Sequence, residues 1–430
     1  MNNQAMLEKI NRYIDSQREN ILKTLKRYIN FKTINLEMLL EGEKSEIKEC
    51  QEWLHGEIKG LNFFDKLDIY EIQKNNPNIA AVKKGSGKGK SLLFNSHTDV
   101  VRVSEEQKKA WTGLSPFDGG VKDGKVWGRG SSDMKGGGTA SLYAVKAIRE
   151  LAIDLKGDLL LTFCGSEESG RAAEGIWSLL DRGYSADCAI FAEPTHLDIF
   201  YKTRGELYFD IDIEGKSTHI CNRNLTVWPQ RSAAEQVGVN AIDKMLKILE
   251  AFRELERSWG LRYYDPDIGP GTTTLAVAMV RAGESFSTQA GEAHISIASM
   301  IDSNASVEEI KGQIIQAIEF VADQDHWLRE HRPKYKIPFP PKVAINIPTN
   351  DPFIQALKLS YRQVMGKEPT LKPGPFVGDA NYFYEKGVKS IYYGPGDVGC
   401  CHGTNEYIEV SEVLEAAKIY AAMIINWCAQ

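Results

Sequence analysis

The sequence has few features of a disulfide-stabilised, secreted or membrane protein. Its 430 residues include only seven cysteines, and no two of them form a C-x-x-C pair. An odd number of irregularly spaced cysteines is typical of reduced thiols in an intracellular protein. The N-terminus is polar, and no stretch of the chain approaches the roughly 18 apolar residues of a membrane span. We therefore expect a cytoplasmic protein without a secretory signal or a membrane segment.

The chain also lacks the charge pattern of a protein that binds nucleic acid or an anionic membrane surface. The net charge is −6, and the basic residues form no continuous block. Binding to phosphate backbones or anionic lipids needs clustered positive charge. With 42% hydrophobic and 26% charged residues, the composition is that of an ordinary globular protein, and a length of 430 residues predicts more than one domain.

Up to residue 203, helical and strand patterns alternate along the chain. Apolar residues at helical spacing predict helices over residues 4–29, 44–58, 134–150 and 171–181. Short apolar runs predict strands over 78–83, 91–95, 159–163 and 188–191, with a hairpin near 119–127. This alternation is typical of a mostly parallel sheet covered by helices.

A different pattern occupies the middle of the chain. Alternating residues predict strands over 206–213, 273–281 and 292–300, and helical spacing predicts helices over 231–257 and 306–326. Residues 330–349 are interpreted as a returning linker, followed by a helix at 352–365, a strand at 390–393 and a helix at 411–427. We therefore predict an α/β fold with a mostly parallel sheet. Its catalytic domain, residues 1–203 and 346–430, is interrupted by an inserted α+β domain at residues 204–345.

Possible metal ligands begin at the end of the predicted strand 91–95. His97 and Asp99 follow this run, at the place where open α/β sheets bind their ligands. Side chains repeat their facing every second residue of a strand, so the Asp99 carboxylate could orient the His97 imidazole. A single His-x-Asp sequence is more often a surface pair, so further ligands must support a metal site.

Asp133 stands among glycines immediately before a predicted helix. Glycine allows backbone conformations that other residues avoid, so a tight turn could hold this carboxylate in a site. A phosphate-binding loop would need the order Gly-Lys-Ser/Thr, which is absent here. The alternative that Asp133 is a simple helix N-cap stays open.

Three later segments offer further ligands. Glu167 and Glu168 follow one predicted buried strand, and Glu193 follows the next. Adjacent carboxylates at a strand end repel each other unless a cation lies between them, although a solvated helix N-terminus is an alternative. His402 lies in a glycine-rich loop before the last helix, and the neighbouring Cys401 is interpreted as a packing residue.

Together these positions supply two histidines and three carboxylates as ligands, with one further glutamate and an orienting aspartate, which is the ligand set of a two-zinc hydrolytic site. Five motifs resemble the co-catalytic zinc amidohydrolases, the family of acetylornithine deacetylase, succinyl-diaminopimelate desuccinylase and carboxypeptidase G. The motifs are His97-Thr98-Asp99, Gly128-Arg129-Gly130 with Asp133-Met134-Lys135-Gly136, Gly165-Ser166-Glu167-Glu168, Glu193-Pro194-Thr195 and His402-Gly403-Thr404-Asn405-Glu406. They occur in the family's order and span nearly the whole chain.

The resemblance implies two divalent metal ions, zinc by preference, with cobalt as a possible substitute. The implied ligands are His97 and Glu193 at one site, Glu168 and His402 at the other, and Asp133 between them. Glu167 would be the general base and then the acid, acting on a water held by both ions, and Asp99 would orient His97. The inserted domain would be a lid and homodimer interface, whose His219 would stabilise the oxyanion in the second subunit's active site.

The implied activity is metal-dependent hydrolysis of an amide, with N-deacylation of a small substrate as the main interpretation. The arginine that commonly holds a substrate carboxylate is absent near Met300, and Asn381 stands where a second arginine is usual. An amide cannot replace the bidentate carboxylate clamp of a guanidinium. We therefore expect a substrate without an α-carboxylate, such as an N-formyl or N-acetyl aminopyrimidine. Otherwise, another cation takes this role: Arg204, Arg231 or Arg281.

Two other functions stay open. A di- or aminopeptidase of the same family would need an acidic group for the substrate ammonium, and Asp379 could provide it; a carboxypeptidase is a further alternative. A protein that keeps the fold without catalysis is disfavoured, because all five ligands and Glu167 are present.

Overall fold

The computed structural model describes residues 3–112, 114–227 and 236–430. Its helices are α1 (Asn3–Ser16), α2 (Arg18–Asn30), α3 (Ile47–Lys59), α4 (Glu105–Ala110), α5 (Gly136–Glu150), α6 (Ala172–Asp181), α7 (Arg223–Val227), α8 (Ala241–Arg262), α9 (Val307–Gln324), α10 (His326–Glu330), α11 (Pro352–Met365), α12 (Asp379–Glu385) and α13 (Val410–Cys428).

The strands before residue 203 are β1 (Lys66–Gln73), β2 (Asn76–Lys83), β3 (Leu92–His97), β4 (Val121–Lys122), β5 (Lys125–Trp127), β6 (Leu159–Cys164), β7 (Cys188–Phe191) and β8 (Ile199–Lys202). Later strands are β9 (Gly205–Glu214), β10 (Thr218–His219), β11 (Tyr264–Asp265), β12 (Gly269–Pro270), β13 (Thr274–Ala282), β14 (Thr288–Gln289), β15 (Glu292–Ile301), β16 (Lys334–Lys336), β17 (Leu371–Pro373), β18 (Lys389–Tyr392) and β19 (Tyr407–Glu409).

The chain divides into two compact units. The first comprises Met1–Lys202, Ile345–Gly374 and Gly378–Gln430, and the second comprises Thr203–Ala344 with Pro375–Val377. Among the described residues, no helix is long and apolar enough to cross a membrane.

The first unit is built on an eight-stranded sheet in the order β1-β2-β6-β3-β7-β18-β8-β17. Strand β3 pairs in parallel with β6 and β7, and β18 pairs in parallel with β7. All side chains of β3, β6 and β7 are buried, as expected for central strands of a parallel sheet. The carboxyl ends of these three strands therefore meet at one edge, where loops can bring polar side chains together.

Helix α13 shows why the sheet is covered. It is apolar around nearly its whole circumference and is almost completely buried. A helix of this kind is stable only inside the protein. It packs against α5 and α11 and contacts β3, which places the central strands in the core of the unit.

The second unit is an antiparallel sheet in the order β13-β15-β9-β16, with α8 and α9 packed together and against it. Strand β9 alternates buried and exposed side chains towards its end, so one face forms the core. The Asn240 side chain caps α8 by accepting a hydrogen bond from the amide of Ile242, and the Ser306 side chain caps α9 through Glu309.

The predicted α/β class with a mainly parallel central sheet is confirmed, but several elements differ from prediction. The helix predicted over 4–29 is two helices, because the backbone at Gln17 leaves the helical region with φ −90° and ψ 4°. The helix predicted from 231 begins at Ala241, and residues 228–235 lie outside the described residues. The linker interpretation of 330–349 missed β16, which pairs with β9. The sheet also carries antiparallel strands β1 and β2.

Candidate active site

The candidate site lies at the carboxyl edge of the central strands. His97 is the last residue of β3 and pairs with Cys164, the last residue of β6. Glu168 follows β6, and Glu193 lies two residues after β7. Because these strands are parallel neighbours, three segments that are distant in the chain bring their side chains to one place.

Asp133 enters the site from a π-helical turn, Ser131–Lys135, that precedes α5. Its own backbone is not helical, with φ −116° and ψ 92°, and Gly130 provides the left-handed conformation, φ 82°, that starts the turn. Lys135 occupies the N-cap position of α5, and no side chain caps that helix end. The N-cap interpretation of Asp133 is therefore wrong, and its carboxylate faces the histidines.

The two oxygens of Asp133 lie between two histidines. Its Oδ1 is 3.0 Å from Nε2 of His97, and its Oδ2 is 3.1 Å from Nε2 of His402. His97 Nε2 is also 3.8 Å from Oε1 of Glu193, and His402 Nε2 is 3.1 Å from Oε1 of Glu168. The arrangement has two halves joined by one carboxylate.

The electrostatics of the cluster reflect buried carboxylates in close contact. Burial, together with the negative charge of Asp133, raises the pKa of Glu168 to about 8 and that of Glu193 well above its usual range. Burial also acts against the charged form of Asp133, but hydrogen bonds from His402 and His97 outweigh it and lower the pKa of this carboxyl. Hydrogen bonds to Asp133 and Glu168 raise the pKa of His402 to about 10. Such a cluster has the charge and the hard oxygen and imidazole donors that suit a divalent cation.

Three of these side chains are close enough together to hold a metal ion. His97, Asp133 and Glu168 each offer a ligand atom, and the three atoms lie within 4.8 Å of one another. This group is the candidate metal centre, and His402 and Glu193 contact it from opposite halves.

Asp99 orients His97 through its main-chain oxygen rather than its carboxylate. That oxygen is 2.9 Å from Nδ1 of His97, whereas the carboxylate Oδ1 is 3.7 Å away. A carbonyl only accepts, so Nδ1 carries a hydrogen, and Nε2 of the neutral ring then has a lone pair to offer to a cation. The Asp99 carboxylate instead accepts hydrogen bonds from the amides of Glu167 and Glu168 and from the side chain of Asn35.

Asn35 was not predicted from the sequence. It contacts Asp99 from 64 positions earlier in the chain, with a donor–acceptor distance of 2.7 Å. No local sequence motif predicts this contact, because only the fold brings the loop after α2 to the end of β3.

Glu167 lies beside the segment that precedes α12. A β-carbon at Gly378 would be only 2.9 Å from Oε1 of Glu167 and 3.2 Å from the hydroxyl of Tyr392. That hydroxyl donates to Oδ1 of Asn381 at 2.6 Å, and the Gly378 amide donates to the same oxygen at 3.3 Å. Asn381 is therefore buried and is held by Tyr392 and Gly378, and Gly378 itself lies next to Glu167.

The other predicted residues are more widely spread. His219 is exposed at the end of β10 in the second unit, where the Cys221 amide donates to its Nδ1 at 3.2 Å. In the neutral ring this hydrogen bond places the proton on Nε2. Arg204 precedes β9, Arg281 is exposed in β13, and Arg231 lies outside the described residues.

Asp379 is buried at the start of α12, and Met300 pairs with Glu206 across the strands β15 and β9. Cys401 is half-buried and donates to the carbonyl oxygen of Asp397 at 3.3 Å.

A cluster of histidines and largely buried carboxylates at the carboxyl edge of an α/β sheet is typical of a metal-dependent hydrolase. Residues 93–426 match the model of Peptidase family M20/M25/M40. The chain belongs to this family, and it is a hydrolase that acts on C–N bonds of amides. The family resemblance of the five motifs is confirmed.

Individual relatives agree with this assignment. The chain is 30% identical over 429 residues to N-formyl-4-amino-5-aminomethyl-2-methylpyrimidine deformylase of Bacillus subtilis, covering 97% of this chain and 96% of the relative. Among solved structures, the fold is similar to the M20 family metallo-carboxypeptidase Sso-CP2 from Sulfolobus solfataricus, with a TM-score of 0.71, 18% identity and coverage of 94% and 98%. It is also similar to the YXEP protein of Bacillus subtilis, described as a dinuclear metal binding peptidase, with a TM-score of 0.63, 13% identity and coverage of 96% and 98%.

Proposed function

We propose that this protein removes a formyl or other small acyl group from an N-acylated aminopyrimidine by hydrolysis of the amide bond. The observation that carries the proposal is the similarity to the Bacillus subtilis deformylase along 97% of this chain. The asparagine at position 381, where the family resemblance leads us to expect an arginine, also supports it, because Asn381 is buried and its oxygen accepts hydrogen bonds from Tyr392 and Gly378.

The residues present fit two divalent metal ions. His97 and Glu193 would hold one ion, Glu168 and His402 the other, and Asp133 would offer one oxygen to each. Bound ions would lower the pKa of a water between them and polarise the substrate carbonyl. Zinc suits this mixture of imidazole and carboxylate ligands, and cobalt can replace it.

Glu167 would act as the general base and then as the general acid. It would take a proton from water as the new C–O bond forms at the acyl carbon. It would then return the proton to the leaving amine nitrogen as the C–N bond breaks, which releases formate or another carboxylate and the free amine. The amides of Glu167 and Glu168 are held by Asp99, which restrains the backbone on which the base is mounted.

His219 would stabilise the developing oxyanion. Its Nε2 carries the hydrogen in the neutral ring, so it can donate to a negatively charged oxygen. On the family resemblance we propose that this residue acts in the active site of a second subunit, in a homodimer formed through the inserted domain. The edge strand β13 supports this, because Val277, Met279 and Val280 are exposed on it.

The substrate assignment is tested by a direct assay of the purified, zinc-loaded protein. N-formyl-4-amino-5-aminomethyl-2-methylpyrimidine should be hydrolysed with a kcat/KM at least about 100-fold above that for N-acetyl amino acids and dipeptides. Formate release and chromatography of the amine measure the reaction. A preference for N-acetyl amino acids or for peptides would contradict the proposed substrate and favour the deacylase or peptidase alternatives. Chelation should abolish turnover and added zinc or cobalt should restore it.

The role of His219 and the dimer are tested together. His219→Ala chains and Glu167→Gln chains should each be inactive alone, and mixed dimers should recover partial activity if His219 acts on the second subunit. Sedimentation analysis establishes whether the mixed species is a dimer. Proven heterodimers without recovered activity would remove His219 from this role.

A further inference from the structure

Glu406 is a buried carboxylate that holds the turn carrying Asp133. Its Oε1 accepts hydrogen bonds from the amides of Ser132 at 3.1 Å and Asp133 at 3.2 Å. Glu406 lies four residues after His402, in the loop that leads into β19. One side chain thus joins the loop of one candidate ligand to the backbone of another.

Arg129 contacts both Glu406 and the loop that carries His402. Its Nη1 donates to Oε2 of Glu406 at 2.6 Å, and its Nη2 donates to the carbonyl oxygens of His402 at 3.1 Å and Gly403 at 3.0 Å. The guanidinium therefore contacts the main chain of the histidine that it helps to place.

The pair is fully enclosed, with relative side-chain exposures of 1% for Arg129 and 0% for Glu406. Removing one partner of a buried ion pair leaves an uncompensated charge, which is costly, whereas the pair as a whole contributes little net stability. Net stability therefore does not explain why this ion pair is buried, whereas fixing the positions of the segments that it joins does. The nearby positive φ of His402, 60°, shows that this loop adopts an unusual conformation that tertiary contacts must maintain.

The other half of the site is held by different means. The His97 amide donates to Sδ of Met134, and the ring is held by the Asp99 carbonyl, both on or beside a buried strand. His402, by contrast, has an exposed side chain on a loop, so its position depends on the contacts that restrain the loop.

We propose that Arg129 and Glu406 are positioning residues that set the metal affinity of the half-site formed by Asp133, Glu168 and His402. This inference rests on the proposed two-metal function. The ion pair keeps the loop of His402 and the turn of Asp133 at a fixed separation, so that Nε2 and the carboxylate oxygens converge before an ion arrives. Residues that orient metal ligands in this way typically change metal affinity by roughly 10- to 100-fold when they are replaced.

The test is a metal titration of the whole protein with Co²⁺, read by visible absorption and by metal analysis after gel filtration. The wild type should bind two ions. Glu406→Gln keeps an oxygen that can accept from the turn, and Arg129→Lys keeps the positive charge but loses the several N–H donors of the guanidinium. Each variant should weaken one of the two binding events by roughly 10- to 100-fold. The other event, whose ligands His97 and Glu193 lie at or just after the ends of buried strands, should be weakened less, and excess metal should restore turnover.

Glu409→Gln is the matched control, because Glu409 lies on β19 and forms a partly exposed ion pair with Lys125 at 3.3 Å. It should bind both ions as the wild type does. Circular dichroism and thermal melting of each metal-free variant establish that it is folded. If folded Arg129→Lys and Glu406→Gln both bind two ions with wild-type affinity, or lose both events equally, the inference is wrong. A wild type that binds no second ion would instead refute the proposed two-metal function itself.

Discussion

Buried carboxylates occur in both units of this protein, but their surroundings differ. In the second unit, Asp325 accepts hydrogen bonds from Lys244 and Lys247 and from the amides of Trp327 and Leu328. Burial alone would raise its pKa, but the hydrogen bonds from Lys247 and Lys244 lower it to about 2. Its charge is matched by the protein's own cations, and it caps α10.

In the first unit, Glu168 and Glu193 are buried beside further carboxylates, and the pKa of each is raised. Burial alone therefore does not distinguish the proposed metal ligands Glu168 and Glu193 from the structural carboxylate Asp325. The difference is whether the surrounding side chains already supply the compensating charge. A cluster in which carboxylates oppose one another's ionisation is suited to an external cation.

Among the variants that test this difference between the two kinds of carboxylate, Glu167→Gln should have the largest effect on activity. The change removes the proposed general base, so kcat should fall by roughly 10²- to 10⁴-fold while both metal ions remain bound. It also removes a negative charge that raises the pKa of Glu168 and Glu193, so the metal-free protein should not lose stability. Steady-state kinetics, metal analysis and urea unfolding measure the three quantities. An active variant would exclude Glu167 from its role.

The next effect separates the two histidines. His97→Ala and His402→Ala should each weaken metal binding by more than about 10-fold, since each removes a proposed ligand. His97 is 1% exposed and His402 is 54% exposed, so only His97→Ala should also destabilise the metal-free protein, by about 2 kcal/mol. Isothermal titration with Co²⁺ and urea unfolding test this pair. Unchanged metal binding in both variants would refute the ligand assignment.

A smaller change probes the position of Glu167 without removing it. In Gly378→Ala the new methyl group would lie 2.9 Å from Oε1 of Glu167, and this flexible side chain end must move. Displacement of a catalytic group by about 1 Å can cost on the order of 10²-fold in rate, so turnover should fall by 10- to 100-fold with little change in melting temperature. Gly312→Ala is the control, since nothing lies within 4 Å of its added carbon. Gly387→Ala is unsuitable, because the positive φ at that position would strain an alanine. Wild-type turnover in Gly378→Ala would show that Glu167 tolerates the shift.

The smallest expected effect concerns the compensated carboxylate. Asp325→Asn should reduce the free energy of unfolding by about 2 kcal/mol near neutral pH, because two lysines and a helix end lose a charged acceptor. The pKa of Asp325 is lowered on folding, so its stabilisation is complete above pH about 4 and is lost as the pH falls towards 2. Urea unfolding of wild type and variant at pH 6 and pH 3 should show a smaller difference at the lower pH. A pH-independent difference would mean that the ionised form of Asp325 does not provide the stabilisation.

Much of the secondary structure was accessible from local patterns. The helix predicted over 352–365 and the strand predicted over 188–191 agree with α11 and β7. Strong periodicity and flanking capping residues decide such elements, as Asp351 does by accepting from the amide of Phe353 at the start of α11. The break at Gln17 escaped prediction because the apolar spacing continues on both sides of it.

For the site, the sequence determined which side chains are available: polar residues that end apolar strands, and glycines that permit unusual turns. Their assignment as ligands stays a prediction that the geometry supports. Only the tertiary structure decided that Asp133 lies between His97 and His402, that the Asp99 carbonyl orients the ring, and that Arg129 and Glu406 join two loops 277 positions apart. Strand ends are local features of the chain, whereas hydrogen bonds between distant loops exist only once the parallel sheet has brought those loops to the same edge.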